Sequence, residues 1–244
     1  MRDIVIIPTY NERDNIVLLL EQLTSLYPDM HIVVVDDHSP DGTGDAVSAL
    51  RHPQVTLKRR SGKLGLASAY TETIAELLSQ YADLRSIITM DADHSHDPVV
   101  IAAFRSLIDT HDVIIGSRYV AGGGLKDWPL KRQLLSHAGN WYARITSGTG
   151  IRDLTAGYQC IAASVLRNPA FQQMSASGFA FQMEMKIIAY MLGARITEVP
   201  IIFANRTRGQ SKLLGQLGSF IYEGLVMPWQ LRLRHRNLRK GVHK

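Results

Sequence analysis

At 244 residues the chain is long enough to bury a substantial core, and its single cysteine, Cys160, excludes an internal disulfide and reads as a small buried hydrophobe. The formal net charge of +5 is uneven: six of the 27 basic residues (Arg232, Arg234, Arg236, Arg239, Lys240 and Lys244) follow residue 231 with no acid among them, leaving 21 against 22 acids. No apolar run approaches the ~18 residues of a membrane span, and Met1-Arg2-Asp3 enters a strand without a charged-then-apolar leader, so a cytoplasmic protein touching membranes only peripherally is expected.

The first element is an apolar run, Ile4 to Pro8, stopped by its proline. Asn11 then caps a helix in which Ile16, Leu19, Leu20, Leu23 and Leu26 recur at helical spacing. Ile32 to Val35 form a second strand, which ends in the polar loop Asp36-Asp37-His38-Ser39-Pro40-Asp41-Gly42-Thr43, and a helix through Ala46 and Leu50 follows. A third strand, Val55 to Leu57, leads through Arg59-Arg60-Ser61-Gly62-Lys63-Leu64-Gly65 into a helix from Ala67 to about Gln80. The fourth, Ile87 to Met90, ends abruptly in Asp91-Ala92-Asp93-His94. Apolar strands alternating with amphipathic helices imply an α/β fold whose mostly parallel sheet is covered on both faces. Ligands of such sheets sit outside the carboxyl ends of the strands. Residues 8–12, 36–41, 60–65 and 91–96 are therefore expected to converge.

Asp91 and Asp93, spaced i, i+2 on an extended backbone, leave the same side of it. Hard carboxylate oxygens in that arrangement suit a Mg²⁺ or Mn²⁺ ion shared with substrate phosphates. The alternative is two exposed turn acids ahead of a helix that Asp97 caps and Pro98 begins. His94 and His96 read as neighbours of the acids or as solvent groups, since a hard cation prefers oxygen.

The strand Val113 to Ile115 ends in Gly116-Ser117-Arg118-Tyr119, putting a guanidinium, the natural partner of a phosphate, at the same edge. Ala121-Gly122-Gly123-Gly124-Leu125-Lys126-Asp127-Trp128-Pro129 reads as a mobile lid or acceptor loop, or equally as a plain linker. Apolar residues at 130, 134, 135, 138, 141, 142 and 145 form a helical stripe. It suits a helix at a membrane interface or one packed on the domain. Asp153-Leu154-Thr155-Ala156-Gly157-Tyr158 starts a strand through Ala163, Ala180 to Leu192 form a helix carrying Gln182 and Glu184, and Ile196 to Phe203 form a last strand. Arg206, Arg208 and Lys212 then cluster around Gly209, as a phosphate site or a solvated turn. Leu213, Leu217, Phe220, Ile221 and Leu225 mark a helix that Pro228-Trp229 interrupts before the basic tail. That combination favours an anionic membrane surface over nucleic acid, for which no platform of aromatics interleaved with basic residues is present.

Taken in order, Pro8-Thr9-Tyr10-Asn11-Glu12, Val34-Val35-Asp36-Asp37, Asp91-Ala92-Asp93, Gly116-Ser117-Arg118-Tyr119, Asp153 through Tyr158 and Arg206 through Lys212 resemble the dolichol- and polyprenyl-phosphate mannosyltransferases over about residues 3 to 215. The resemblance implies a GT-A (Rossmann-like) catalytic domain over residues 1–212, with an amphipathic helix and basic tail over 213–244 making peripheral membrane contact. It also implies transfer of mannose from GDP-mannose to a polyprenyl monophosphate with Mg²⁺ or Mn²⁺, giving an inverted, β-linked product. On that resemblance Pro8, Tyr10, Glu12, Val35 and Asp37 hold the guanosine, and Asp91, Ala92 and Asp93 the ribose, diphosphate and metal. Arg118, Arg206 and Lys212 face phosphates, Arg132 and Lys212 serve the acceptor, and Asp91, Asp93 and Arg118 carry the catalysis. Ser95 stands where some members have a metal-ligating amide, so a water is expected there, and Asn205 replaces a common aspartate. Many members end in transmembrane helices, which this sequence lacks. The rival readings are a UDP-sugar donor (glucose or N-acetylglucosamine), a non-catalytic nucleotide-sugar sensor that docks on membranes, and a phospho-accepting signalling domain, which needs only about half this length.

Overall fold

The structure, a computed structural model, describes residues 1–176, 178, 180–204 and 224–241. Its elements run β1 (Arg2–Thr9), α1 (Arg13–Leu26), β2 (His31–Asp36), α2 (Thr43–Leu50), β3 (Val55–Arg59), α3 (Leu66–Gln80), β4 (Leu84–Thr89), α4 (Ile101–Leu107) and β5 (Val113–Ser117). Then come β6 (Gly124–Lys126), α5 (Leu130–Ser147), β7 (Gln159–Ala162), α6 (Ala163–Leu166), α7 (Ala180–Met191), β8 (Ile196–Pro200), β9 (Ile202–Ala204) and α8 (Met227–His235). Seven strands form one sheet in the order β3-β2-β1-β4-β7-β5-β8, and β6 pairs with β9 apart from it.

The period of two along each strand divides its side chains between two cores. Ile4, Ile6, Val33, Val35, Ile87, Val113 and Ile115 face α3, α7 and α8. Val5, Ile7, Ile32, Val34, Ile88 and Ile114 face α1, α2 and α4. Each such side chain, removed from water, contributes ~1.5–3 kcal/mol. Cys160 is fully buried in the second core, and burial pushes its thiol up to about 12, so it is inert packing.

Several local expectations are corrected. Strand β1 passes through Pro8, which pairs with Val35; the register with β4 ends at Ile6 opposite Thr89, so the missing N–H breaks no ladder bond there. Asn11 does not cap α1: it takes a left-handed φ of 59°, Glu12 holds the cap position, and Asp41 from the next loop accepts the Arg13 N–H at 3.1 Å. Strand β7 is short and antiparallel to both neighbours, so residues 153–158 are a loop. The last strand is broken at Ile201, whose N–H donates to Ser117 O at 3.0 Å, and its second half pairs with β6. The glycine-rich segment is thus a structured return and not a loose linker. A Cβ at Gly123 would lie 2.6 Å from Ser117 O, which only glycine avoids. Pro228 sits in the first turn of α8 and begins a helix instead of interrupting one. The expected boundary at 212 and the expected helix from Leu213 as far as residue 223 lie outside the described residues. Over residues 224–238 the chain packs back on the body, with Leu231 fully buried in the first core.

Candidate active site

Strands β1 to β5 run in one direction, so their carboxyl ends open on one edge, and the segment entering antiparallel β7 arrives at the same edge. Asp37, Asp91, Asp93 and Arg118 therefore share a rim, as expected.

On the β1–β2 side the loops are cross-braced by side chains. Asp36 Oδ1 accepts from Thr9 Oγ1 (2.9 Å) and Ser39 Oγ (2.5 Å), Ser39 Oγ accepts the Asn11 N–H (3.0 Å), and Thr43 Oγ1 accepts the Glu12 N–H (3.0 Å). Asp37 is buried, and both its oxygens already accept bonds: Oδ1 from Arg60 Nη1 at 2.6 Å and Oδ2 from the Gly65 N–H at 2.8 Å. Arg60 is in turn held by Ser68 and Glu72. Val35 is fully buried behind this pair, Pro8 and Tyr10 are half-buried, and Lys63 Nζ lies 4.3 Å from the centroid of the Tyr10 ring.

The acid pair departs from its expected geometry. Strand β4 ends at Thr89, and Asp91 to His94 follow as a bend, with His94 at a left-handed φ of 60° and its Nε2 3.1 Å from Asn15 O. The two carboxylates consequently differ: the Asp91 side chain is 37% exposed, whereas Asp93 is buried, so it is no exposed turn acid. Ser95 donates to Asp93 Oδ1 from its N–H (3.1 Å) and its hydroxyl (2.5 Å), orienting the acid. Asp97 does cap the next turn, accepting the Val99 N–H at 3.0 Å.

His96 lies under the pair. It is buried, stacked on Tyr158 at 4.7 Å, and its Nδ1 accepts the Asp91 N–H at 3.0 Å. Burial holds the imidazole below its ordinary value of 6.5, with Asp91 and Asp93 pulling the other way. A ring accepting at Nδ1 carries its proton on Nε2, the nitrogen that lies 3.9 Å from Asp91 Oδ2. Among the described residues no three His, Cys, Asp or Glu form a closed metal cage. Two neighbouring carboxylates are instead the donor set that Mg²⁺ or Mn²⁺ uses when substrate phosphates complete its shell, so Asp91 and Asp93 suit such an ion.

On the β5 side, Arg118 is only 9% exposed and is no free-standing phosphate ligand. Its Nε and Nη2 donate to the two oxygens of Asp153 at 2.7 and 2.6 Å, and Nη2 also reaches Thr155 Oγ1 at 2.7 Å. Burial would raise the Asp153 carboxyl, but Arg118 outweighs it and holds it below its ordinary 3.8. Helix α5 joins through Asn140, whose Nδ2 donates to Thr155 Oγ1 at 3.1 Å. Arg132 lies over the Trp128 ring at 3.5 Å, and Trp128 Nε1 is buried with no hydrogen-bond partner among the described residues. Phe203 ties the halves together, edge-on to His96 at 5.6 Å and 5.4 Å from the Arg118 guanidinium. Arg206, Lys212 and Asn205 lie outside the described residues.

Beyond this rim α5 turns large apolar side chains outward: Leu130, Leu134, Leu135, Trp141 and Ile145 are each more than half exposed, beside Trp229 and Leu233 of α8. Among the described residues no helix is long and apolar enough to cross a membrane.

Arg60 and Asp153 escaped the sequence reading as site residues because only contact shows which acid an arginine serves. The signal that could have found Lys186, a fully buried lysine beneath the 153–157 loop, was a lone cation in the apolar window 180–192.

A mostly parallel sheet with an acid pair at its strand ends and cations opposite it defines a class, and residues 4–174 match the family model Glycosyl transferase family 2. The chain belongs to that family. Within it, the chain is 39% identical over 242 residues to an undecaprenyl-phosphate mannosyltransferase of Micrococcus luteus, covering 98% of each. It is 38% identical to the polyprenol monophosphomannose synthase of Mycolicibacterium smegmatis, covering 96% of this chain and 88% of that one. The fold also matches glucosyl-3-phosphoglycerate synthase of Mycobacterium tuberculosis, solved with Mn²⁺, UDP and phosphoglyceric acid (TM-score 0.69, 15% identity, 95% of this chain, 78% of that one). Mannosyl-3-phosphoglycerate synthase of Rubrobacter xylanophilus aligns similarly (TM-score 0.69, 16% identity, 97% and 75%).

Proposed function

We propose that the protein transfers mannose from GDP-mannose to a polyprenyl monophosphate, giving the β-linked mannosyl phospholipid and GDP. The observation that carries this reading is the pairing of two near full-length relatives named for joining mannose to a polyprenyl phosphate with a rim that sets acids against cations beside an exposed apolar helix.

A phosphate monoester has its second pKa near ~6, so at neutral pH the acceptor is already a nucleophile and needs no general base. A phosphate oxygen attacks the sugar C1 in line, the C1–O bond to the β-phosphate breaks, and GDP departs with the electron pair. Two anions must therefore be brought together and charge on the leaving diphosphate stabilised. Asp91 and Asp93 would hold a Mg²⁺ or Mn²⁺ ion, which supplies Lewis-acid stabilisation of the diphosphate. Ser95 keeps Asp93 oriented, and His96 keeps the Asp91 backbone in place. Arg118, fixed by Asp153, presents a preset positive charge to the reacting phosphates, and Arg132, over the Trp128 ring, offers a cation to the acceptor. Arg206 and Lys212 are proposed to add cations to the phosphates. Pro8, Tyr10, Glu12, Val35 and Asp37 enclose the base; the lone pairs that Asp37 has left after Arg60 and Gly65 suit the N–H groups of guanine. The apolar face of α5 with Arg232, Arg234 and Arg236 suits an anionic cytoplasmic leaflet, which would bring the acceptor head group to the rim.

The test is conversion of radiolabelled GDP-mannose into an organic-extractable product with a polyprenyl phosphate in anionic vesicles. Expected are loss of product in EDTA, at least ~10³-fold loss in Asp93→Ala with the fold retained, and no competition by UDP-glucose or UDP-N-acetylglucosamine. Preferential use of a UDP-sugar reassigns the donor, and donor binding without turnover leaves a sensor.

A further inference from the structure

One charged group lies below the rim without a place in the scheme above. Lys186 is fully buried on α7, and its ammonium donates to Ala156 O at 2.6 Å and to Gln182 O, one turn back, at 3.1 Å. The charged groups that face it are Asp153, Arg118 and Glu198. Asp153 is already bound by both forks of Arg118, so two cations share one buried carboxylate here, with Glu198 engaged by the Arg152 and Asp153 N–H groups. A buried ammonium with no carboxylate in contact is costly, and a methionine would fill the space without that cost.

What it touches gives it a use. Ala156 precedes Gly157, whose carbonyl accepts Thr89 Oγ1 at 2.6 Å and where a Cβ would lie 3.7 Å from the Asp91 carboxylate. In a trans peptide the C=O and the following N–H point in opposite directions. Holding Ala156 O inward against Lys186 therefore turns the Gly157 N–H away from the ammonium and fixes the turn between Asp153 and Asp91.

We infer that Lys186 is a positioning residue for glycosyl transfer: through Ala156 it sets the 153–157 turn against Asp91, and once the donor is bound it places a second positive charge behind the Arg118–Asp153 pair. This rests on the reading of the rim as the transfer site. Burial holds the ammonium down to about 7, with Asp153 pulling it up, which brings its titration toward the working pH. A polyanionic donor at the rim favours the ammonium, and binding takes up a proton.

The experiment compares wild type, Lys186→Met and Lys186→Gln. Calorimetric titration with GDP-mannose between pH 7 and 8, in buffers of different ionisation heat, is expected to show net proton uptake in wild type and loss of it in both variants. In turnover, Lys186→Met is expected to lower kcat roughly 10–100-fold with less than ~3-fold change in donor KM. Lys186→Gln, which keeps a donor for Ala156 O, should recover part of kcat. The melting temperature of Lys186→Met should equal or exceed that of wild type at pH 7. Because the folded protein binds this proton less readily than the unfolded chain, whose ordinary value is 10.5, that advantage should shrink as pH rises from 7 toward 10.5. Wild-type kcat together with wild-type proton uptake in Lys186→Met overturns the inference. So does a kcat loss that comes with a lower melting temperature and unchanged proton uptake, which would mean simple packing. If Lys186→Met fails to fold, proton uptake and kcat of Lys186→Gln decide the matter alone. Failure of wild type to make mannosyl lipid, with GDP-mannose still bound and the difference in proton uptake intact, would remove the proposed acceptor and leave the coupling of Lys186 to the donor at the rim.

Discussion

Helices α5 and α7 flank the same loop and break the usual rule for amphipathic helices in opposite directions. In α7 eleven of twelve residues are buried, and these include Gln182, Glu184 and Lys186. In α5 the buried residues are Asn140, Ala143 and Ser147, while Leu130 is 69% exposed and Trp141 65%. At 100° per residue, positions 130, 134, 141 and 145 fall within one ~60° sector, roughly opposite that of the buried Asn140, Ala143 and Ser147. Polar residues inside α7 hold the protein's own architecture together, and the apolar face of α5 is the one proposed to meet a membrane. Sequence does not say which way either helix faces; burial separates a fully packed helix from one with an open apolar face.

The comparison breaks if a change inside α7 costs no more stability than one on the outer face of α5. Glu184 accepts from His235 Nε2 (2.8 Å) and from the Ser175 and Ala176 N–H groups (3.0 and 2.8 Å), locking α8 to α7. Glu184→Ala orphans all three, and about 3–5 kcal/mol of destabilisation is expected in urea unfolding. On α5, Leu134→Glu with Trp141→Glu should leave stability within ~0.5 kcal/mol. The same pair should weaken binding to anionic vesicles by roughly 2–3 kcal/mol, about 30- to 150-fold, read by sedimentation. Unchanged vesicle binding would strip α5 of its proposed docking role. Asn140→Ala tests the inward face of the same helix: losing its bonds to Thr155 should cost about 1 kcal/mol and reduce turnover more than vesicle binding.

The smallest effect sharpens the α7 side through pH. Burial would raise the Glu184 carboxyl, but His235 and the two N–H groups outweigh it and hold it below its ordinary value of 4.5. A depressed carboxyl contributes stability that is complete above the unfolded value and is lost as pH falls through the folded one. The melting difference between wild type and Glu184→Gln is therefore expected to be full at about pH 5.5 and to fade below 4.5. A difference that persists in acid would mean that the amide costs packing and not charge.

The alternation of apolar strands with helical stripes made the sheet and its functional edge legible, because Ile4–Ile7, Ile32–Val35 and Ile87–Ile88 are buried on both faces and have no other use. The Asp91–Asp93 pair was legible too, though not its unequal burial, which depends on a left-handed turn at His94 that no local pattern announces. The stripe on α5 was visible as a period, yet a period does not say which way the helix faces. The reversal of β7 and the break at Ile201 were hidden because both are decided by long-range pairing with β4, β5 and β6. Arg118 was rightly expected at the rim, but its commitment to Asp153 crosses 35 positions of chain.

Strand β7 runs against its neighbours, and that single inversion decides who can take part at the rim. A four-residue strand spans about 13 Å, so a β7 threaded the other way would carry Gly157 to the far edge, out of reach of Asp91, and strand Asp153 and Thr155 with it. In a purely parallel sheet every contributor departs from this edge; here one arrives, and the guanidinium's anchor travels in on it.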